Sequence, residues 1–518
     1  MKTKIFYTIF FSLSTILTNA QGSSDALNYS QTFNGGTARF VSMGGAFGAL
    51  GGDFTSISIN PAGLGVYRSS EFSITPSFKK RNVSSDYNGS NGKGSQNRFG
   101  FDNLGFVLSY KPNGEAEKGL INLNIAFGYN RTNDYYTNAY AKGDNSANSI
   151  MDYFASIANG NNSDDMSFPP ASEPNNTYNP FLDSNAPWEA IMAWNTYLIN
   201  PTMGTNYEAA LNGNDGVFQQ NRILNTGSSR EFILALGTNY SNKLYIGTTV
   251  GITNINYSSS STFSEDAFLS ADSLVNGYYN QFFYSDYKKK IETRGTGYNL
   301  KIGVIYKPID GLRLGLALHT PTFYNLEDLY SYSIHSNFDY HRNEENYYSN
   351  SPDGRYEYQL ETSLKAIGSI AYTFKDLGLL SIDVEHVSYS SIRLRDSNDP
   401  NTFTDANDAI KSSYRNVNNV KIGGEIRISD VFLRGGYAFY PSPYKKGYLN
   451  ENTNHSIISC GIGYREGNFF IDAAYMYSIQ KEKYVLYDLR NVDGSYAVNP
   501  VSTKMTEGKF LTTIGFKF

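Results

Sequence analysis

The feature that most constrains this chain is a period of two. Past residue 70, short runs recur in which one face is Leu, Ile, Val, Phe or Tyr and the other is Gly, Ser, Thr, Asn or charged, as in strands with one buried face. Leu244, Ile246, Thr248, Val250 and Ile252 alternate with Tyr245, Gly247, Thr249, Gly251 and Thr253. Leu312, Leu314, Leu316 and Leu318 alternate with Arg313, Gly315, Ala317 and His319, and Val420, Ile422, Ile426 and Ile428 with Asn419, Lys421, Gly423, Glu425 and Arg427. A soluble sandwich and a membrane barrel both bury one face of each strand, so alternation alone fits either. Connection lengths separate them. Strands are expected at roughly 71–79, 98–110, 120–131, 229–240, 243–257, 291–306, 312–323, 355–374, 378–390, 416–428, 431–440, 455–464, 468–480 and 508–518. The connections after even-numbered strands are brief (111–119, 241–242, 308–311, 375–377, 429–430, 465–467). Those after odd-numbered strands are long and polar (80–97, 132–228, 258–290, 324–354, 391–415, 441–454, 481–507). Every second turn of a membrane meander lies on the same side of the bilayer, which explains this parity, whereas a Greek-key sandwich has no reason to show it. The fold class expected is therefore all-β: a transmembrane antiparallel barrel of about 14 strands.

Composition agrees. Charged residues make up 18% of the 518, against about 25% in soluble domains, while a mean hydropathy of −0.42 excludes a polytopic helical membrane protein. A net charge of −5 argues against a nucleic-acid partner. The 43 Tyr and 33 Phe are read as interface girdles, with Tyr110, Tyr129, Tyr240, Tyr257, Tyr306, Tyr372, Tyr440 and Tyr464 near strand ends. Lys301, Arg313, Lys365, Asp383, Glu385, Glu425, Arg427, Arg434 and Asp472 fall opposite the apolar band, hence in the lumen, and their mixed signs do not make a one-sign ion filter. Residues 1–20 read as an export signal: Lys2 and Lys4, an apolar stretch from Ile5 to Leu17, then Thr18, Asn19 and Ala20 as the cleavage site. Cys460 is the only thiol, so no intramolecular disulfide is possible, and its place in an alternating run makes it a small apolar side chain. The last strand presents Phe510, Thr512, Ile514, Phe516 and the terminal Phe518 on one face, like the terminal aromatic that the barrel-assembly machinery reads in outer-membrane barrels.

Residues 21–68 break the period-two pattern. Gly35, Gly36, Gly44, Gly45, Gly48, Gly51 and Gly52 precede a stretch in which Asp53 can cap a short helix and Pro61 ends it. The glycines lack the spacing and the strand–turn–helix context of a phosphate loop. A compact plug, or hatch, inside the lumen is the better reading, because glycine lets backbone approach a wall closely.

This segment resembles the FadL/TodX family of outer-membrane hydrophobic-compound transporters. The resemblance rests on Gly36 to Phe47 (GTARFVSMGGAF), then Asp53 and Ser58 to Leu64 (SINPAGL). It extends to Asp383–Ser390, to Leu433–Ala438 with Pro441 and Pro443, and to the terminal aromatic strand. It implies a plugged fourteen-stranded barrel, residues 69–518, in the cell outer membrane of a Gram-negative organism, acting as a monomer. It also implies passive uptake of hydrophobic small molecules, long-chain fatty acids or aromatic hydrocarbons, through an outer pocket, past the hatch and out through a lateral wall gap into outer-membrane lipid. Asn60, Pro61, Ala62 and Gly63 match the hatch motif on the substrate path. No cofactor and no metal is implied.

An outer pocket would come from the long loops, and 132–228 is the best candidate. Ser149–Ile157 and Trp188–Ile199 both show helical spacing with an apolar face, which makes Trp188, Ile191, Met192, Trp194 and Leu198 candidate pocket residues. The same helices could simply pack on each other and cap the barrel. Among catalytic constellations, His386 with Ser388 and Glu385 comes nearest, but alternation puts His386 and Glu385 on opposite faces, so an enzyme is not expected. A structural or adhesive barrel and a general porin remain as alternatives.

Overall fold

The computed structural model describes residues 22–33, 35–112, 118–173, 175–211, 216–268, 280–340, 343–397, 399 and 401–518. The export signal expected at 1–20 lies outside the described residues. Fourteen antiparallel strands form the barrel: β1 Glu71–Tyr87, β2 Ser90–Tyr110, β3 Leu120–Asp134, β4 Val217–Tyr240, β5 Leu244–Ala267 and β6 Asn280–Tyr306. Then come β7 in two pieces, Leu312–His319 and Phe323–Tyr340, β8 in two pieces, Gly354–Glu361 and Lys365–Thr373, and β9 Gly378–Ser388. The last five are β10 Asn416–Ile428, β11 Val431–Tyr440, β12 His455–Glu466, β13 Phe469–Tyr484 and β14 Val501–Lys517. β14 pairs with β1 from Glu71↔Lys517 to Asp86↔Ser502, which closes the barrel and removes its edges.

The alternation is realised as expected. Leu234, Leu236, Ile246, Val250, Ile302, Leu314, Leu316, Ile426 and Ile462 point outward and are exposed, forming the lipid-facing band. Cys460 is on the same outer face. Lys301, Asp383, Glu385, Glu425, Arg434 and Asp472 are buried inside, and Arg313 and Lys365 reach the N-terminal segment there, through Leu50 O and Thr32 Oγ1. Arg427 sits exposed at the short-turn rim. Two expected girdle residues turn inward instead. Tyr257 packs edge-on against Tyr29 and Tyr135, and Tyr440 stacks on His455 beside Phe33. Both sit at the inward parity of their strands, where an aromatic contributes to the core and not to the membrane interface.

The largest departure from the expectation concerns strand length. The polar stretch 80–97 is no loop: β1 and β2 continue through it to a two-residue turn at Asn88 and Gly89, whose φ values of +49° and +80° suit a type I′ hairpin. Likewise β4, β5, β6 and β7 run far into the regions expected as loops. These extensions rise beyond the apolar band, where the outer face meets water, while inside Phe263, Phe282, Tyr287, Ile334 and Phe338 pack beneath the helical segment that follows β3. The outward apolar face therefore stops while backbone pairing continues.

Between β3 and β4, the chain forms a hairpin strand, Thr137–Asn145, and then a helical cap. The cap consists of α3 Ile150–Ala158, α4 Ser163–Met166, α5 Pro180–Asp183 and α6 Trp188–Asn195. Below the cap, inside the lumen, lie α1 Ser23–Ser30, a short helix α2 Ala38–Ser42, and two 3-10 turns, Phe54–Ser58 and Pro61–Val66.

Candidate functional site: the hatch, its wall and the chamber above it

The N-terminal segment is folded by its own caps before it meets the wall. Thr37 Oγ1 accepts from Phe40 N at 3.2 Å and donates to Asp53 Oδ2 at 2.6 Å, and Asp53 Oδ1 accepts from Thr55 N at 2.9 Å. Asn60 Oδ1 accepts from Ala62 N at 3.1 Å, with Pro61 in the first helical position, where its missing N–H costs nothing. Gly63 O accepts from Gly52 N at 3.1 Å, folding the two halves of the hatch onto each other. Thus the expected motif residues Asn60, Pro61, Ala62 and Gly63 form one buried turn.

The turn lies directly on the backbone of the wall. Gly237, Gly247, Gly303 and Ala317 are register partners across β4, β5, β6 and β7 and make a row of small residues on the luminal face. A Cβ at Gly303 would fall 1.9 Å from Asn60 Oδ1, one at Gly247 2.2 Å from Pro61 O, and one at Gly237 2.8 Å from the Leu64 Cβ. Only glycine permits this approach. Asn60 Nδ2 donates to Gly48 O at 2.6 Å and reaches Val304 O at 3.2 Å, so a single amide ties both hatch halves to the wall. Behind the row, on the lipid face, is an apolar depression of about 610 Å³ between Leu236, Ile246, Ile302 and Leu316.

Buried charges hold the hatch elsewhere. Arg39 meets Glu425 at 3.0 Å, and Arg434 bridges Glu425 and Asp472 at 2.6 Å each. Lys301 pairs with Glu231 at 2.6 Å while both contact Ser58, and Gly48 N donates to Asp383 at 2.8 Å. Breaking one partner of such a pair strands a buried charge, typically at about 3–5 kcal/mol.

The wall is broken beside the hatch, between β2 and β3. β2 and β3 pair only from Tyr110↔Leu123 to Asn103↔Asn130. Beyond that point the freed backbone of β3 is taken up by the hatch, with Gly35 N donating to Arg131 O at 2.9 Å and Phe33 N to Thr132 O at 3.0 Å. Arg131 fills the slit, donating to Phe101 O at 2.7 Å and pairing with Asp102 and Asp134 at 3.2 Å. Lys79, Arg98 and Lys509 complete the network through Asp134 and Asp102. Thr55 and Ser58, through Asn130, are the hatch side chains at the foot of the slit, whereas Asn60 to Gly63 lie against β4–β7.

A chamber of about 490 Å³ opens above the hatch and beside the slit. Leu27, Phe33, Val41, Ile457 and Met476 supply an apolar side, and Arg131, Asp134, Glu507 and Lys509 a charged one. The cap residues expected to line a pocket are placed differently. Ile191, Met192 and Leu198 are wholly buried, with Phe154 and Met166, in a core that the cap shares with Phe263, Phe282 and Phe338 of the barrel wall, and Trp188 and Trp194 pack against that core. Trp188 touches Phe181, Tyr330 and Tyr332. None of the five lines the chamber. Sequence reading missed the slit network and the glycine row. The first had a signal in the inward parity of Lys79 and Lys509. The second had none, because its members are far apart in the chain and become neighbours only through register. His386 and Glu385 do lie on opposite faces, His386 outward on Asn418 and Glu385 inward on Lys421.

No protein-family model matches the sequence, and no curated protein does. Solved structures do match. A Pseudomonas aeruginosa FadL homologue aligns over 94% of this chain and 99% of its own, at a TM-score of 0.52 and 12% identity. The toluene transporter TodX of P. putida aligns over 93% and 99%, at a TM-score of 0.51 and 12% identity. An identity this low speaks for the fold, and it spans nearly the whole chain: this protein is a fourteen-stranded barrel with the fold of the FadL and TodX proteins.

Proposed function

We propose that the protein is an outer-membrane channel for passive uptake of hydrophobic small molecules, long-chain fatty acids or aromatic hydrocarbons. The solute enters beneath the cap, rests in the chamber above the hatch, and leaves sideways into lipid through the slit between β2 and β3. The observation that carries this reading is that hatch backbone, and no strand, occupies β3's free hydrogen-bonding groups at Arg131 and Thr132. A small shift of Phe33, Gly35 and Arg131 therefore opens the wall without breaking the sheet. Lateral exit suits an apolar solute, which gains about 25 cal/mol for each Å² removed from water and so has no favourable path down an aqueous pore. The chain acts as a monomer, and Phe518, whose backbone pairs with Ser70 at the barrel seam, is the signal read by the barrel-assembly machinery. Asn60 to Gly63 hold the hatch in the closed position.

Proteoliposomes test this. The protein should speed transfer of a fatty acid or toluene from the outer aqueous phase into lipid while leaving sugar leakage unchanged. Faster sugar leakage would instead mark a general porin, and acceleration of neither solute a structural or adhesive barrel.

A further inference from the structure

The outer face of the barrel carries an unbalanced basic surface above the lipid band. Phe99, Phe78, Phe510 and Tyr475 lie opposite one another across β2, β1, β14 and β13, all exposed, and mark the membrane interface there. Six residues further toward the long loops, the same strands present Lys93, Ser84, Lys504 and Lys481 in one row, with Lys80 between the two rows. Lys80, Lys93, Lys481 and Lys504 are all exposed. Lys481 and Lys504 are direct cross-strand partners, an arrangement that costs stability unless an anion lies between them. Among the described residues no carboxylate pairs with any of the four, and Glu482 turns inward to the chamber. The acid on this face is Asp86, one row beyond. The opposite wall is different: there Lys290 and Arg294 meet Glu292, Arg355 meets Glu327 and Glu357, and Arg395 meets Glu361. The imbalance is local, in a chain whose net charge is −5.

Height decides what fits. At about 3.3 Å per residue and a strand tilt of about 40°, Lys80 stands roughly 5 Å above the aromatic row and the lysine row roughly 15 Å. A phospholipid headgroup layer, about 5–8 Å deep on each side of the bilayer, reaches the first and not the second. We infer that Lys80, Lys93, Lys481 and Lys504 bind an outer-leaflet glycolipid whose sugar headgroup carries phosphates. Lysine ammonium groups act here as point charges for phosphate, and the bound anion relieves the Lys481–Lys504 repulsion. The inference rests on the outer-membrane placement proposed above, and not on solute transport.

Native mass spectrometry of the full-length protein in detergent tests it, with rough lipopolysaccharide bearing phosphorylated core sugars as the probe. Wild-type protein should retain this glycolipid, and the triple variant K93Q/K481Q/K504Q should bind it at least about ten-fold more weakly. K288Q/K290Q on the opposite wall should bind as wild type, and heat-dependent gel mobility confirms that each barrel is folded. Equal binding by the triple variant, or equal wild-type binding of the dephosphorylated glycolipid, would overturn the inference. So would phosphatidylglycerol binding as tightly and being lost in the same variant. Hydrophobic-probe transfer should be unchanged in the triple variant, so failure of the glycolipid assignment is distinguishable from failure of the transport reading.

Discussion

At the scale of single residues, the closed state depends on positions where nothing larger fits. Gly303→Val would drive a side chain into Asn60 Oδ1. The outer face of β6 is untouched by this change, so the barrel should still fold, but the hatch turn at Asn60–Ala62 should leave the wall. The expected readout is a several-fold rise in ion conductance across planar bilayers. Unchanged conductance would mean that the wall, and not the hatch, yields. Asn60→Ala removes the amide that joins Gly48 O to Val304 O and takes a donor from the buried Gly48 carbonyl, at about 1–3 kcal/mol. Hydrophobic-probe transfer should then fall because the hatch no longer returns to one position. A third residue sits in the part of β5 that rises beyond the lipid band. Glu265 binds the start of α3, accepting from Ser149 Oγ, Ile150 N and Gln219 Nε2, with no cation in that shell, and burial raises its carboxyl to about 7. Asp152 nearby reinforces the rise. Because the folded value lies above the unfolded 4.5, its stabilising contribution is complete below 4.5 and is lost as pH climbs through about 7. The cap should therefore be cleaved faster by protease at pH 8 than at pH 5, by an amount reflecting on the order of 3 kcal/mol at most. Glu265→Gln should abolish the pH dependence.

At the scale of elements, what the sequence reveals follows the physics of each environment. Where a strand crosses lipid, one face must be apolar, so Leu244–Thr253 or Leu312–His319 can be read directly as strand. Above the lipid no such rule applies, and the tall β1–β2 hairpin, with Lys80, Asn82 and Ser84 outside, reads as a polar loop although every residue is paired. In the hatch, the Asp53 cap was legible because caps are local, whereas Pro61, expected to end that helix, opens the next turn behind the Asn60 cap. The seat of the hatch was not legible, since Gly237, Gly247 and Gly303 become neighbours only in the folded sheet. Two element-scale outcomes follow. Removing residues 22–66 should leave a folded barrel, because the strands close on one another without it, but should raise conductance. A barrel that cannot fold without the segment would make it a core and not a plug. For the cap, the burial of Ile191, Met192 and Leu198 favours packing over solute contact. Trp188 and Trp194 emission should accordingly change little on adding toluene or a fatty acid, and a saturable quench would restore the pocket role to the cap.

For the whole molecule, 518 residues describe one barrel with its N-terminal segment folded inside the lumen and not a string of domains. Charge is sparse overall because lipid takes one face of every strand. What charge there is gathers where the hatch meets the wall, around Glu425 and Arg434 and around Arg131, Asp102 and Asp134. The central claim is that this interior must move for solute to pass. Its most direct test is a reversible staple in a Cys460→Ser background. A Cβ at Gly35 would lie 3.3 Å from Asp102 Cγ across the slit, within disulfide reach, so G35C/D102C can lock the hatch backbone to β2. Transfer of a hydrophobic probe into proteoliposome lipid should stop in the oxidised protein and return to the reduced rate on adding dithiothreitol. Equal rates in the two redox states would contradict the account.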